Sequence, residues 1–150
     1  KELTKIYNCV VVNIQQQSAD KEKVQYTTKG EKVEDKLEAS LDGLGDNKLT
    51  QRDALVVIGL TSPDRYKIAR HGGSSGAGYN IKRLKDNYRY LKILKSRISR
   101  PGVGLSLYFD GATNTFRELP PVEKMTDAIY DQIKLGEWCP DKVESVVKNS

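Results

Sequence analysis

The sequence predicts a mixed α+β fold in one domain of 150 residues. Three observations predict it. Runs of strand character stand near the N-terminus and again after residue 102. Between and after them, apolar residues recur three and four apart, the period of a helix face. Glycine, proline and capping residues fall at the boundaries. Apolar residues make up 37% and charged residues 30% of the chain, which separates it from the disordered class. At this length folding buries most of the unfolded chain's surface, so no disulfide or metal staple is required. Cys9 and Cys139 accordingly read as two reduced thiols, with one bridge tying the two ends together as the alternative.

Residues 6–14 (IYNCVVVNI) are apolar and β-branched, the composition of a strand buried on at least one face. A polar stretch leads to a second short run at 24–27, and the pair reads as an N-terminal β-hairpin with a long tip. Residues 31–44 read as an amphipathic helix with Val33, Leu37, Leu41 and Leu44 on one face. Acidic residues crowd its first turns, and Gly43 and Gly45 stop it. Thr50 offers an N-cap with Asp53 three residues on, which assigns the apolar run 54–60 to a helix rather than a buried strand. Ser62-Pro63-Asp64 starts the next helix, which runs to His71 and stops at Gly72. A glycine and serine loop fills 72–78.

Asn80 caps the longest predicted helix, 80–98. Ile81, Leu84, Tyr88, Leu91, Leu94 and Ile98 form its apolar seam, and Pro101 and Gly102 end it. Val103, Leu105 and Leu107 alternate with small or polar residues, the period of a half-buried strand. Asp110-Gly111 is a turn, and 115–119 return as a second β-hairpin. Pro120-Pro121 open a helix with Val122, Met125, Ile129 and Ile133 inward and Gly136 as its cap. Pro140 starts a final short helix. The order of a helix at 50–60, a helix at 62–71, a basic helix at 80–98 and a hairpin at 103–119 is that of a winged helix, an architectural analogy for the 50–119 region.

The net charge of +5 is unevenly spread. Residues 61–100 hold eleven Lys/Arg against two Asp/Glu, while the segments on either side are slightly acidic. One segment therefore carries the whole excess, and it dominates the surface potential. Six of the eleven cations are arginines, suited to forked phosphate contacts. Only Asp64 and Asp86 lie among them, so i,i+4 pairing cannot neutralise the face. Tyrosines are interleaved, as where bases stack beside cations.

These features imply an anionic partner. The leading expectation is non-catalytic, sequence-tolerant binding of DNA or RNA through the 80–98 helix. The residues expected to carry it are Arg65, Lys67, Arg70, Lys82, Arg83, Lys85, Arg89, Lys92, Lys95 and Arg97, with Tyr79 and Tyr90. The alternative is a viral matrix-like or scaffold protein whose basic face meets an anionic membrane or an acidic protein and which assembles into a homo-oligomer. Salt-sensitive self-association would distinguish the two.

Catalytic and cofactor chemistry finds no complete motif. Gly78 is followed by Tyr79-Asn80 rather than Lys-Ser/Thr, so the loop at 72–78 fails the Walker pattern, and it fails the dinucleotide fingerprint as well. It reads as a connector, with a loose backbone–phosphate contact at the following helix N-terminus, in support of the 80–98 helix, as the alternative. His71 is the only histidine, which removes a multi-His metal site, and it reads as a helix C-terminal residue. The longest uncharged apolar run, 54–60, is too short to span a bilayer, and no charged-then-apolar leader is present. The expected location is cytoplasmic, nuclear or within a virion. The chain begins with Lys1, so it reads as a processed product or a fragment of a longer protein.

Overall fold

β-Branched and aromatic side chains are stiff at χ1 and pack best on a pleated surface, and this preference shapes much of the chain. The structure is a computed structural model that describes residues 2–16, 38–41, 48–72 and 78–140. Its elements in chain order are α1 (Glu2–Tyr7), α2 (Lys48–Asp53), β1 (Val56–Thr61), β2 (Arg70–His71), β3 (Tyr79–Asn80), α3 (Ile81–Leu84), β4 (Tyr88–Ser96), β5 (Gly104–Asp110), β6 (Thr115–Glu118) and α4 (Asp127–Leu135). Turns of 3-10 helix at Pro63–Tyr66, Lys85–Asn87 and Val122–Lys124 connect them. β1, β4, β5 and β6 form a four-stranded sheet in that order, and β2 pairs with β3. The fold is α+β.

The residues divide into two compact units, Lys1–Gly59 with Ile93–Gly102, and Leu60–Lys92 with Val103–Ser150. In the first, the Arg97 N–H donates to the Leu55 carbonyl and the Gly102 N–H to that of Ile93. Gly59 is required there because a Cβ would run into Ala39.

The second unit holds the core. β5 pairs antiparallel with β4 and β6, placing Tyr88 opposite Tyr108 and Tyr108 opposite Arg117. Tyr88 and Tyr108 pack with Ile81, Leu84 and the α4 residues Ile129, Tyr130 and Ile133. Trp138 closes this cluster, its ring edge-on to Tyr108 at 5.3 Å. Burial of each large side chain contributes about 1.5–3 kcal/mol. The Thr126 side chain accepts from the Ile129 N–H at the start of α4, and Gly136 ends it in the left-handed region at φ 73°. The predicted Gly136 cap and the Asp110-Gly111 hairpin are both present, although α4 begins at Asp127 and Val122 falls in a 3-10 turn.

Several expectations are corrected. Residues 6–14 are not a strand: Ile6 and Tyr7 end α1, and 8–16 are irregular, with Val12 78% exposed. A β-branched run makes a strand only beside a neighbour that supplies ladder bonds, and no described strand pairs with it. The second limb at 24–27, most of the 31–44 helix and the helix after Pro140 lie outside the described residues. Thr50 lies within α2 rather than capping a later helix, and the apolar run forms β1. Its β-branched residues and its seat beside β4 favour the strand. Ser62 and Pro63 do start a helix, but it is a single 3-10 turn ended by Lys67 at φ 56°.

The largest correction concerns 80–98. The helix begins after Asn80 as predicted and ends at Leu84. Lys85 then takes φ 49°, and from Tyr88 the chain is strand. Alternate residues from Tyr88 onward can bury one face as β4, and pairing with β5 sets Tyr88 against Tyr108 in the core. Ile98, the end of the supposed seam, is 77% exposed. The helices at 50–60, 62–71 and 80–98 that the winged-helix order needs are therefore not formed.

Candidate anion-binding surface

The short β2–β3 ladder brings two basic stretches of sequence together. Arg70 stands opposite Asn80, and the Ile81 N–H donates to the Ala69 carbonyl at 3.1 Å. The Pro63–Tyr66 turn packs against α3 and against the Lys85–Asn87 turn. Arg65, Lys67 and Arg70 on one side and Lys82 and Lys85 on the other thus share a neighbourhood, and all five are exposed. Lys67, Lys82 and Lys85 make no ion pair among the described residues. The positive φ of Lys67 and Lys85 places both at tight turns, where the backbone reverses and the side chain stands outward.

The other predicted cations are held elsewhere. Arg83 forms ion pairs with Asp127 and Asp131 of α4 and lies 4.6 Å over the Tyr130 ring. The Asp127 carboxylate, first among its partners, raises the guanidinium's pKa above its usual value. Arg89 pairs with Asp86 at 2.9 Å and lies over the Phe109 ring. Lys92 is half-buried in β4. In the first unit, Lys95 donates to the carbonyls of Gln51 and Arg52, and Arg97 donates to that of Arg52 at 2.7 Å. These are the last carbonyls of α2, which have no partner within their own helix and carry its negative dipole end.

The two tyrosines do not offer open ring faces. Tyr79 is 5% exposed, and its hydroxyl donates to the Pro120 carbonyl at 2.7 Å. Burial raises its phenol pKa. Tyr90 is half-buried, its ring edge-on to His71 at 4.8 Å.

His71 is likewise a core residue and not a helix terminus, which corrects its predicted place. It lies in β2 with Nδ1 3.2 Å from the Tyr88 hydroxyl, which is 3.0 Å from Ser106 Oγ. Gly72 follows at φ 69°, and a Cβ there would stand 3.0 Å from the Tyr88 hydroxyl. This glycine serves a close backbone approach. Residues 73–77 of the loop lie outside the described residues. Cys9 and Cys139 are both thiols. No group of three or more His, Cys, Asp or Glu that could hold a metal occurs among the described residues. No helix among them is long and apolar enough to cross a membrane.

Sequence reasoning missed the roles of Asp127 and Asp131. Their four-residue spacing on a helix was the available signal, since it puts both carboxylates on one face. The capping roles of Lys95 and Arg97 had no local signal. The chain is an α+β protein with a four-stranded sheet, and the exposed cations Arg65, Lys67, Arg70, Lys82 and Lys85 stand on or beside the elements that neighbour the β2–β3 ladder. No protein-family model, curated protein or solved structure matches the chain.

Proposed function

We propose that the protein binds nucleic acid without catalysis, through phosphate contacts from Arg65, Lys67, Arg70, Lys82 and Lys85. The observation that supports this reading is the β2–β3 ladder, which brings two separate stretches bearing exposed cations beside each other. Asp64 and Asp86 are the acids in these stretches, and Asp86 is engaged by Arg89. Such a cluster releases counterions when it meets phosphates, so binding is steeply salt-dependent. Phosphate contacts position the protein without reading bases, so binding is sequence-tolerant.

The test is a titration against labelled single- and double-stranded DNA and RNA at several salt concentrations. The Lys67→Gln, Lys82→Gln, Lys85→Gln triple variant should weaken binding. It should also lower the log–log salt slope on duplex by about 3, near one for each phosphate that the variant leaves unneutralised. No binding by the unaltered protein at low salt overturns the reading. Binding to anionic vesicles alone would replace nucleic acid with a membrane surface.

A further inference from the structure

In the second unit the sheet has two faces, and the core covers one. Residues directly opposite in an antiparallel ladder project to the same side. Tyr88, Tyr108 and Arg117 stand in one such row, and the two tyrosines belong to the core cluster. The intervening rows project the other way: Leu91 opposite Leu105, Arg89 opposite Leu107 opposite Glu118, and Phe109 opposite Phe116. This second face is apolar along β5, yet Leu105 is 37% and Phe116 47% exposed. Leu107 between them is buried, so Leu105 and Phe116 supply most of the open apolar area. The Phe109 and Phe116 rings lie against each other at 4.8 Å between centroids. A sheet that buries only one side normally alternates apolar with polar residues. Tyr108 in the core on one side of β5, with Leu105, Leu107 and Phe109 on the other, gives the strand large apolar groups on both faces, which implies a second layer.

The middle row indicates what that layer is. It runs from Arg89 on β4 through Leu107 on β5 to Glu118 on β6, positive at one end, apolar at the centre and negative at the other. We propose that this face docks a second copy of the chain, sheet on sheet, about a two-fold axis that runs along β5. Such an axis lays β4 of one copy over β6 of the other and keeps the row at its own level. Arg89 then faces Glu118 of the partner subunit, twice by symmetry, with Leu107 at the centre of the row. An isologous contact requires a self-complementary patch, and a row of reversed charge about an apolar centre meets that requirement. The strands of the two sheets stay nearly aligned, as in sandwiches whose layers lie about 10 Å apart. Arg89 lies outside the five-residue anion surface, so this dimer does not rest on nucleic-acid binding.

Sedimentation equilibrium on the full chain, up to about 100 µM, where even a weak contact populates a dimer, tests the proposal. The expected mass rises from 16.8 kDa toward twice that value. Arg89→Glu alone and Glu118→Arg alone should each be monomeric, because each sets like charges against each other. A one-to-one mixture of the two should dimerise again, since every facing pair is then of opposite sign. Leu105→Lys, which leaves the Arg89–Asp86 pair intact, should also be monomeric, and its melting temperature checks that it folds. A monomeric unaltered protein, a dimeric folded single variant, or a mixture of folded variants that stays monomeric overturns the proposal.

Discussion

The cations at 65–85 and those at 95–97 come from one basic run of sequence and serve different ends. In the second unit, Lys67, Lys82 and Lys85 stand exposed at turns and at a short helix, with no ion pair among the described residues. In the first, Lys95 and Arg97 satisfy the C-terminal carbonyls of α2. Between these extremes, Arg83 and Arg89 are each bound to carboxylates. A run of positive charge measures how many cations the chain supplies. Whether a cation remains available to a partner depends on which acceptors the fold sets beside it.

The boundary between the two groups is the change from helix to strand at Tyr88, so breaking it has the largest effect. Tyr88→Ala should cost about 3–5 kcal/mol, the range for an aromatic removed from a core, measured by urea unfolding. A loss below about 0.5 kcal/mol would place Tyr88 on the surface and dissolve the distinction.

Next in size is the exchange between stability and binding. Lys95→Gln with Arg97→Gln should lower stability by about 1 kcal/mol, since two charged donors leave helix carbonyls. Nucleic-acid affinity should change little. The Lys67, Lys82, Lys85 triple variant should do the reverse, holding its melting temperature while binding weakens. Equal binding losses in the two variants would erase the contrast.

Arg83 offers a finer test. Asp127→Asn with Asp131→Asn removes both carboxylates that hold it and should strengthen binding to duplex, raising the salt slope by about 1. An unchanged slope would show that Arg83 does not reach the partner even when released.

The pH dependence is the smallest effect and separates core tyrosines from stacking ones. Burial raises the phenol pKa of both Tyr79 and Tyr108 in the folded protein. The unfolded phenols ionise near 10, so their contribution to stability is full below that pH. It is lost as pH rises from there through the folded values. Tyr79→Phe with Tyr108→Phe should flatten this alkaline limb of the melting profile. Asp110 works in the opposite sense. The Thr113 hydroxyl and then the Ala112 N–H hold its carboxyl below the usual range. Its contribution to the hairpin is full above about pH 4 and fades as pH falls through the lowered value, and Asp110→Asn should remove that acid sensitivity.

What could be read from residues alone was local. Pro63 after Ser62 starts a turn of helix because its φ is preset and its missing N–H is not needed there. Asp110-Gly111 reverses the chain because the Asp110 side chain bonds the backbone two residues on. Gly136 ends α4 because the left-handed conformation carries no Cβ penalty for glycine. The concentration of charge in 61–100 was equally plain, being a property of composition. The state of 88–96 was not. Tyr88, Leu91 and Leu94 fit a helical face, while Tyr88, Tyr90 and Leu94 fit one side of a strand, so both periods are satisfied. Tertiary structure resolved that conflict, because β5 supplies ladder bonds to β4 and sets Tyr108 against Tyr88. The same holds for the uses of the cations. Arg83 meets acids 44 and 48 residues away, and Lys95 and Arg97 meet a carbonyl 43 and 45 residues away. Separations of that size leave no trace in local spacing, since only the folded backbone brings such groups within hydrogen-bonding reach.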